Sequence, residues 1–224
     1  AGVDLAGLIP RVVTTLGGSK TNAEGYEEIL GTTYAEYVKT DFDFSRTLPF
    51  DDINSVALDF GLGVDVRYGN SIVLPFEKRY FAGGANSVRG WSTRTLGPGS
   101  YQRNDSLRSD FVNQTGDIKL DISAEYRRKL TNLFELATFV DAGNIWTIRD
   151  YEGQPGGVFR FNRFYKEIAV AYGLGLRVNL NFLLLRVDAG MKAYDPAENG
   201  RKFVLFNPNF SDKFAVHFAI GYPF

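Results

Sequence analysis

DIKLDISAEYR, residues 117–127, alternates without a break. Its even positions are Ile118, Leu120, Ile122, Ala124 and Tyr126, and its odd positions are Asp117, Lys119, Asp121, Ser123, Glu125 and Arg127. Successive side chains of a strand point to opposite faces, so this stretch reads as a β-strand with one apolar and one charged face. The pattern returns at residues 55–68, with Val56, Leu58, Phe60, Leu62, Val64 and Val66 on the apolar side, and again at 168–180 and 183–193. From residue 214 to the C terminus, Phe214, Val216, Phe218, Ile220, Tyr222 and Phe224 share a face. Less regular strands over 33–46 and 134–146, and a first strand within 2–16, bring the count to eight.

Strand length and the chemistry of the second face decide between architectures. Strands of soluble sandwiches usually run to about five or six residues, whereas the alternating segments here reach 11 to 14. That is the length a tilted strand needs to cross a bilayer. Asp, Lys, Glu, Arg and Gly opposite aliphatic residues suit a wet lumen. The expected fold is all-β: an antiparallel transmembrane β-barrel region of about eight strands covering 1–224. Connections support it, because outer-membrane barrels join strands by short periplasmic turns and long outer loops. Here 130–133 and the region of Asn181 are short and 47–54 is moderate, while 16–32, 69–116, 147–167 and 194–213 are long. The two classes alternate, so the last strand descends from outside and the loop at about 69–116 lies on the outer side.

Composition agrees. The 224 residues include 19 Phe, 12 Tyr and 24 Gly, with a net charge of -1, no cysteine, one methionine and one histidine. The charge gives no electrostatic reason to expect nucleic acid, and the lack of cysteine removes disulfides, thiolate zinc sites and a cysteine nucleophile. No run of about 18 apolar residues exists for a helical span, and a mean hydropathy of -0.16 suits barrel strands that show every second residue to lipid. Beginning with Ala, the chain reads as a mature or excised piece of something longer.

Few residues invite a chemical reading. The pairs Gly61/Gly63 and Gly173/Gly175 lie on strand faces with no helix start behind them, so they read as curvature and space rather than a phosphate loop. His217, alone on the polar face of the last strand, lacks a nucleophile elbow. Asp41, Asp43, Asp59, Asp65 and Asp121 on lumenal faces read as ion-pairing groups. No cofactor, metal or catalytic residue is expected. The remaining constellation joins GGANSVRGW, residues 83–91, to FVDAGNIW, residues 139–146. Phe139, Asp141 and Gly143 share a face, the Arg89 guanidinium is built for bidentate pairing with a carboxylate, and Gly83, Gly84 and Gly90 let the loop fold back tightly. Glu125, on the preceding strand, is a second acceptor.

These two motifs together resemble the C-terminal half of the BamA superfamily of outer-membrane assembly and transport barrels. Val88, Arg89, Gly90 and Trp91 match the family's loop motif, with Trp for the usual Phe, and Phe139, Asp141 and Gly143 match its F-x-D-x-G strand. An acidic residue on the strand between corresponds to Glu125. Phe224, Tyr222 and Ile220 are similar to the C-terminal strand signal of outer-membrane proteins, from which Pro223 departs. The resemblance implies half of a 16-stranded barrel, a small closed barrel being the alternative. It also implies a bacterial outer-membrane location and a loop held in the lumen by Arg89 as a lock. The last strand, Phe214 to Phe224, becomes one side of a seam. The function implied is non-enzymatic assembly or insertion of outer-membrane proteins, with a two-partner-secretion pore or a transport barrel for a surface enzyme as alternatives. The implied partners are outer-membrane lipids, unfolded outer-membrane protein clients, and periplasmic or lipoprotein accessory subunits.

Overall fold

In the computed structural model, the residues described are 1–17, 20–22, 26–29, 32–71, 75–102, 113–180, 182–198, 203 and 213–223. The chain runs through β1 (Gly2–Ala6), helix α1 (Leu8–Gly17), three short strands β2 (Lys20–Thr21), β3 (Glu27–Ile29) and β4 (Thr32–Thr33), then β5 (Tyr37–Pro49) and β6 (Asn54–Arg67). After the long loop come β7 (Ile118–Lys129), β8 (Phe134–Trp146), β9 (Ala169–Asn179), β10 (Leu184–Tyr194) and β11 (Phe214–Ile220). The long strands form one antiparallel sheet of eight in the order β1-β5-β6-β7-β8-β9-β10-β11, each beside its neighbour in the chain apart from the small sheet β2-β3-β4. No ladder joins β1 to β11 among the described residues.

The alternation dictates the two faces. On β7 the odd positions Asp121, Ser123, Glu125 and Arg127 are buried while Ile122 and Tyr126 are exposed. Phe42, Phe44, Leu58, Leu62, Val140, Leu174, Val216 and Phe218 continue the exposed apolar face across the sheet. The apolar side chains therefore point away from the protein, which is the inverse of a soluble sandwich, where the apolar face is the packed one.

What covers the charged face is the β6–β7 loop. Its residues Tyr80, Ala82, Val88, Trp91 and Leu96 pack with Ile145, Ala169 and Ala171 of the sheet into the one cluster of buried apolar side chains found among the described residues. Small residues on β9 make that approach possible, since a methyl group added to Gly90 would come within 2.7 Å of the Ala171 Cβ.

Two expectations from the sequence are corrected and a third is narrowed. The first strand expected within 2–16 is Gly2–Ala6, and the stretch after it, Leu8–Gly17, is a helix. Leu8, Ile9, Val12, Val13 and Leu16 follow helical i, i+3, i+4 spacing rather than alternation, and Pro10 sits in the first turn, where a missing N–H costs little. The strand expected over 33–46 runs instead over Tyr37–Pro49. The last strand ends at Ile220, because Gly221 takes φ 85° and breaks the alternation. Tyr222 consequently leaves the lipid-facing row, and its ring lies under the Arg127 guanidinium, 4.5 Å from the centroid. Phe224 lies outside the described residues.

Candidate functional site

The loop crosses the charged face strand by strand. The Tyr80 hydroxyl donates to Asp41 Oδ1 on β5 at 2.6 Å, and its ring fills the space over Gly63 on β6. Burial, followed by the hydrogen bond and charge of Asp41, pushes the Tyr80 phenol up, so it stays a protonated donor. Ser87 Oγ donates to Asp121 Oδ1 on β7 at 2.8 Å. Next comes Arg89, whose carbonyl oxygen accepts a hydrogen bond from His217 Nε2 on β11 at 3.1 Å. Three hydrogen bonds thus tie the loop to strands from β5 to the far edge.

Arg89 is 1 % exposed and its donors are used in a fixed pattern. Nε and Nη2 donate to Asp141 Oδ2 and Oδ1, each at 2.8 Å, in the bidentate geometry that planar guanidinium favours. Its backbone N–H also reaches Asp141 Oδ2, at 3.0 Å. Nη1 donates to Glu125 Oε2 at 2.6 Å. The cation lies 3.5 Å above the Phe139 ring centroid, close enough for a desolvated cation–π contact. Burial alone works against the charge, but the hydrogen bonds and charges of Asp141 and then Glu125 outweigh it, holding Arg89 more firmly protonated than a free arginine.

Two strand glycines make room for this. Phe139 stands opposite Gly173 in the β8–β9 ladder, and a Cβ on Gly173 would occupy the position of the Phe139 Cζ. A Cβ on Gly175 would collide with Arg177 Nη1 and Asp188 Oδ1. The glycine pair set aside as a phosphate loop therefore provides space for the ring under Arg89 and for an ion pair beside it.

The structure brings together Arg89, Glu125, Phe139 and Asp141. Val88 and Trp91 lie in the apolar cluster above them, and Lys192 Nζ sits 4.9 Å over the Trp91 ring. Gly143 is one ladder step beyond Asp141 on the same face, opposite Asp121, where a side chain would strike the Leu120 carbonyl. Phe214, Phe218 and Ile220 do not join this site; they project from the outer face of β11, Phe218 being 78 % exposed.

Glu125 was expected to accept from Arg89, but its further partners escaped the sequence reading. Glu125, 0 % exposed, accepts from three arginines: Arg89, Arg177 Nη2 at 2.8 Å and Arg127 Nε at 2.7 Å. Arg177 Nη1 donates to Asp188 Oδ1 at 2.7 Å, Arg186 Nε lies 3.2 Å from Asp188 Oδ2, and Arg186 Nη2 donates to Asn86 of the loop at 2.6 Å. Ser123 Oγ donates to Asp141 Oδ1 at 2.7 Å. The signal was present in the alternation, since all these strand residues occupy polar-face positions. Their pairing needed the β9–β10 register, in which Asp188 faces Gly175 and Arg186 faces Arg177. No group of three or more His, Cys, Asp or Glu side chains suited to a metal occurs among the described residues.

Residues 19–224 match the Omp85 superfamily domain. The chain belongs to the Omp85 superfamily. That membership places the chain in the bacterial outer membrane. The outer membrane protein assembly factor BamA of Neisseria meningitidis is 28% identical over 109 residues, covering 46% of this chain and 13% of that protein. The sorting and assembly machinery component 50 homolog A of Xenopus laevis is 28% identical over 190 residues, covering 78% of this chain and 39% of its own length. The chain thus spans well under half of either Omp85 relative. A crystal structure of BamA from Haemophilus ducreyi lacking POTRA domains 1-3 superposes with a TM-score of 0.59 at 20% identity, over 85% of this chain and 35% of that one. It shares the fold, and the eight-stranded sheet corresponds to part of its barrel.

Proposed function

We propose that this chain is the C-terminal half of a non-enzymatic barrel that inserts other proteins into the outer membrane. The observation that carries the reading is the buried Arg89–Asp141–Glu125 network, which holds the loop against the strands, together with the place of β11 at the end of the sheet, with no ladder on its outer side among the described residues. A free strand edge presents a row of backbone donors and acceptors that an incoming strand can pair with. The loop keeps the lumenal side in shape while that edge is open, and Arg89 acts as its lock. Both matched relatives carry assembly in their names, which favours assembly over secretion. The clients are unfolded outer-membrane proteins, the surrounding partners are outer-membrane lipids, and periplasmic or lipoprotein subunits are accessory.

In cells depleted of the parent protein, Arg89→Ala and Asp141→Ala are expected to lower the amount of newly inserted outer-membrane barrels, each to a similar extent. Parent-like insertion by both variants, at equal protein level, rules the lock out.

A further inference from the structure

Helix α1 is mounted with its polar side toward the protein and its apolar side outward. Thr14, 5 % exposed, is the side chain that points in. Its hydroxyl hydrogen-bonds Glu27 Oε2 at 3.0 Å and meets the Tyr34 hydroxyl at 3.2 Å, and Tyr34 in turn donates to Glu27 at 2.7 Å. On the next turn back, Arg11 Nη1 lies 3.4 Å from Glu36 Oε1, a carboxylate that also receives the Asn70 backbone N–H at 2.5 Å. These contacts fix the roll of the helix. They leave Leu8, Ile9, Val12, Val13 and Leu16 in one stripe away from the protein, with Ile9 79 % and Leu16 83 % exposed.

The stripe continues a surface already assigned to lipid. In the β1–β5 ladder Val3 faces Thr40 and Leu5 faces Val38. Directly opposed residues share a face, so Val3 and Leu5 belong to the exposed apolar row that carries Phe42 and Phe44. Ala6 and Gly7 are all that separate β1 from α1. Gly7, at φ 89°, turns the chain where a side chain would meet the Glu36 Cγ at 2.5 Å. Because β11 runs inward from the outer side, β1 rises to that side, and α1 starts at the outer rim of the lipid-facing band.

We infer that α1 is an interfacial helix, its Leu8–Ile9–Val12–Val13–Leu16 stripe seated in the headgroup–acyl boundary of the outer leaflet. Interfacial helices bury an apolar face about 5–10 Å into that boundary. Most such helices turn a charged face to water; here that role is taken by the protein, through Thr14, Arg11, Glu27 and Glu36. The helix acts as a float that fixes how deep this side of the barrel rides, next to the first strand of the sheet. This reading rests on the barrel and its membrane, not on whether the barrel assembles or exports.

The test is depth-dependent quenching in the full-length protein, with any cysteine outside these 224 residues replaced by serine, reconstituted in vesicles of phosphatidylethanolamine and phosphatidylglycerol. Ile9→Cys, Val12→Cys and Leu16→Cys each carry an environment-sensitive fluorophore, with Phe42→Cys as the lipid-facing control and Thr32→Cys as the exposed one. All replace exposed side chains, so folding is not at stake. The expected result is blue-shifted emission at the three helix positions, quenched by lipids bearing a spin label near the headgroup and shielded from aqueous iodide, as at Phe42. Iodide quenching equal to that at Thr32 overturns the inference in favour of a water-exposed helix. Shielding from both quenchers overturns it in favour of a protein covering.

Discussion

Arg89 and Asp141 form a bidentate link between loop and sheet, and both are almost wholly desolvated. Removing one member of such a pair leaves a buried charge without its partner, which costs about 3–5 kcal/mol. After Arg89→Ala, Glu125 still has two cationic partners, Arg127 and Arg177, but Asp141 keeps only neutral donors, the Ser123 hydroxyl and the backbone N–H of residue 89. Asp141 is therefore the group that suffers, and removing it as well relieves the strain. Urea unfolding of the full-length protein in lipid should show the double variant Arg89→Ala/Asp141→Ala less destabilised than the sum of the singles, by about 0.5–3 kcal/mol. Additive losses place the coupling elsewhere. Glu125→Gln should cost more than Asp141→Asn, because it leaves three guanidinium groups around a neutral amide. The pairing of Arg89 with Asp141 was readable because the loop motif and the F-x-D-x-G strand each have a recognisable pattern. Arg177, Arg186 and Asp188 were not, since a charged residue on a lumenal face has no signature of its own until the register says what it faces.

Among the strands, closeness of approach matters as much as charge. Gly190 on β10 lies beneath the motif backbone: a Cβ there would collide with the Arg89 carbonyl oxygen and come within 3.0 Å of the Gly90 nitrogen. Neither is the flexible end of a side chain, so the loop must lift. Overpacking of this kind costs about 1–3 kcal/mol. Gly61, with Asp43 Oδ1 at 3.4 Å as its nearest neighbour, has room. Gly190→Ala should therefore lower the urea midpoint and, by lifting Arg89 off Asp141, reduce insertion activity, while Gly61→Ala stays within about 0.5 kcal/mol of the parent. Equal behaviour of the two would remove the close-packing argument. At this scale the sequence told the strands well, because a period of two over 11 to 14 residues has few other readings. It missed α1 because an apolar cluster of ten residues was fitted to the pattern of its neighbours, although its spacing is helical.

Among the described residues the eight long strands form a sheet whose first and last members share no ladder, and the loop explains why. An eight-stranded barrel has an interior just wide enough for its own side chains. Here the charged face also carries loop backbone from Tyr80 to Tyr101, with Val88, Trp91 and Leu96 buried against it. Closing eight strands around that loop would require its volume and the inward Phe139, Arg177 and Arg186 side chains to share a space sized for the side chains alone. The half of a larger barrel is therefore favoured over the small closed one, and both β1 and β11 keep an outer edge with no ladder among the described residues. Unpaired edges are templates for association. Refolded in detergent by itself, the 224-residue chain should pair edge to edge and run as dimers or larger species in light scattering, whereas co-refolding with the preceding strands of the full-length protein should restore a single barrel with heat-modifiable gel mobility. A monomeric, heat-modifiable barrel from the isolated chain would show that β1 and β11 meet and that the loop leaves the lumen to let them.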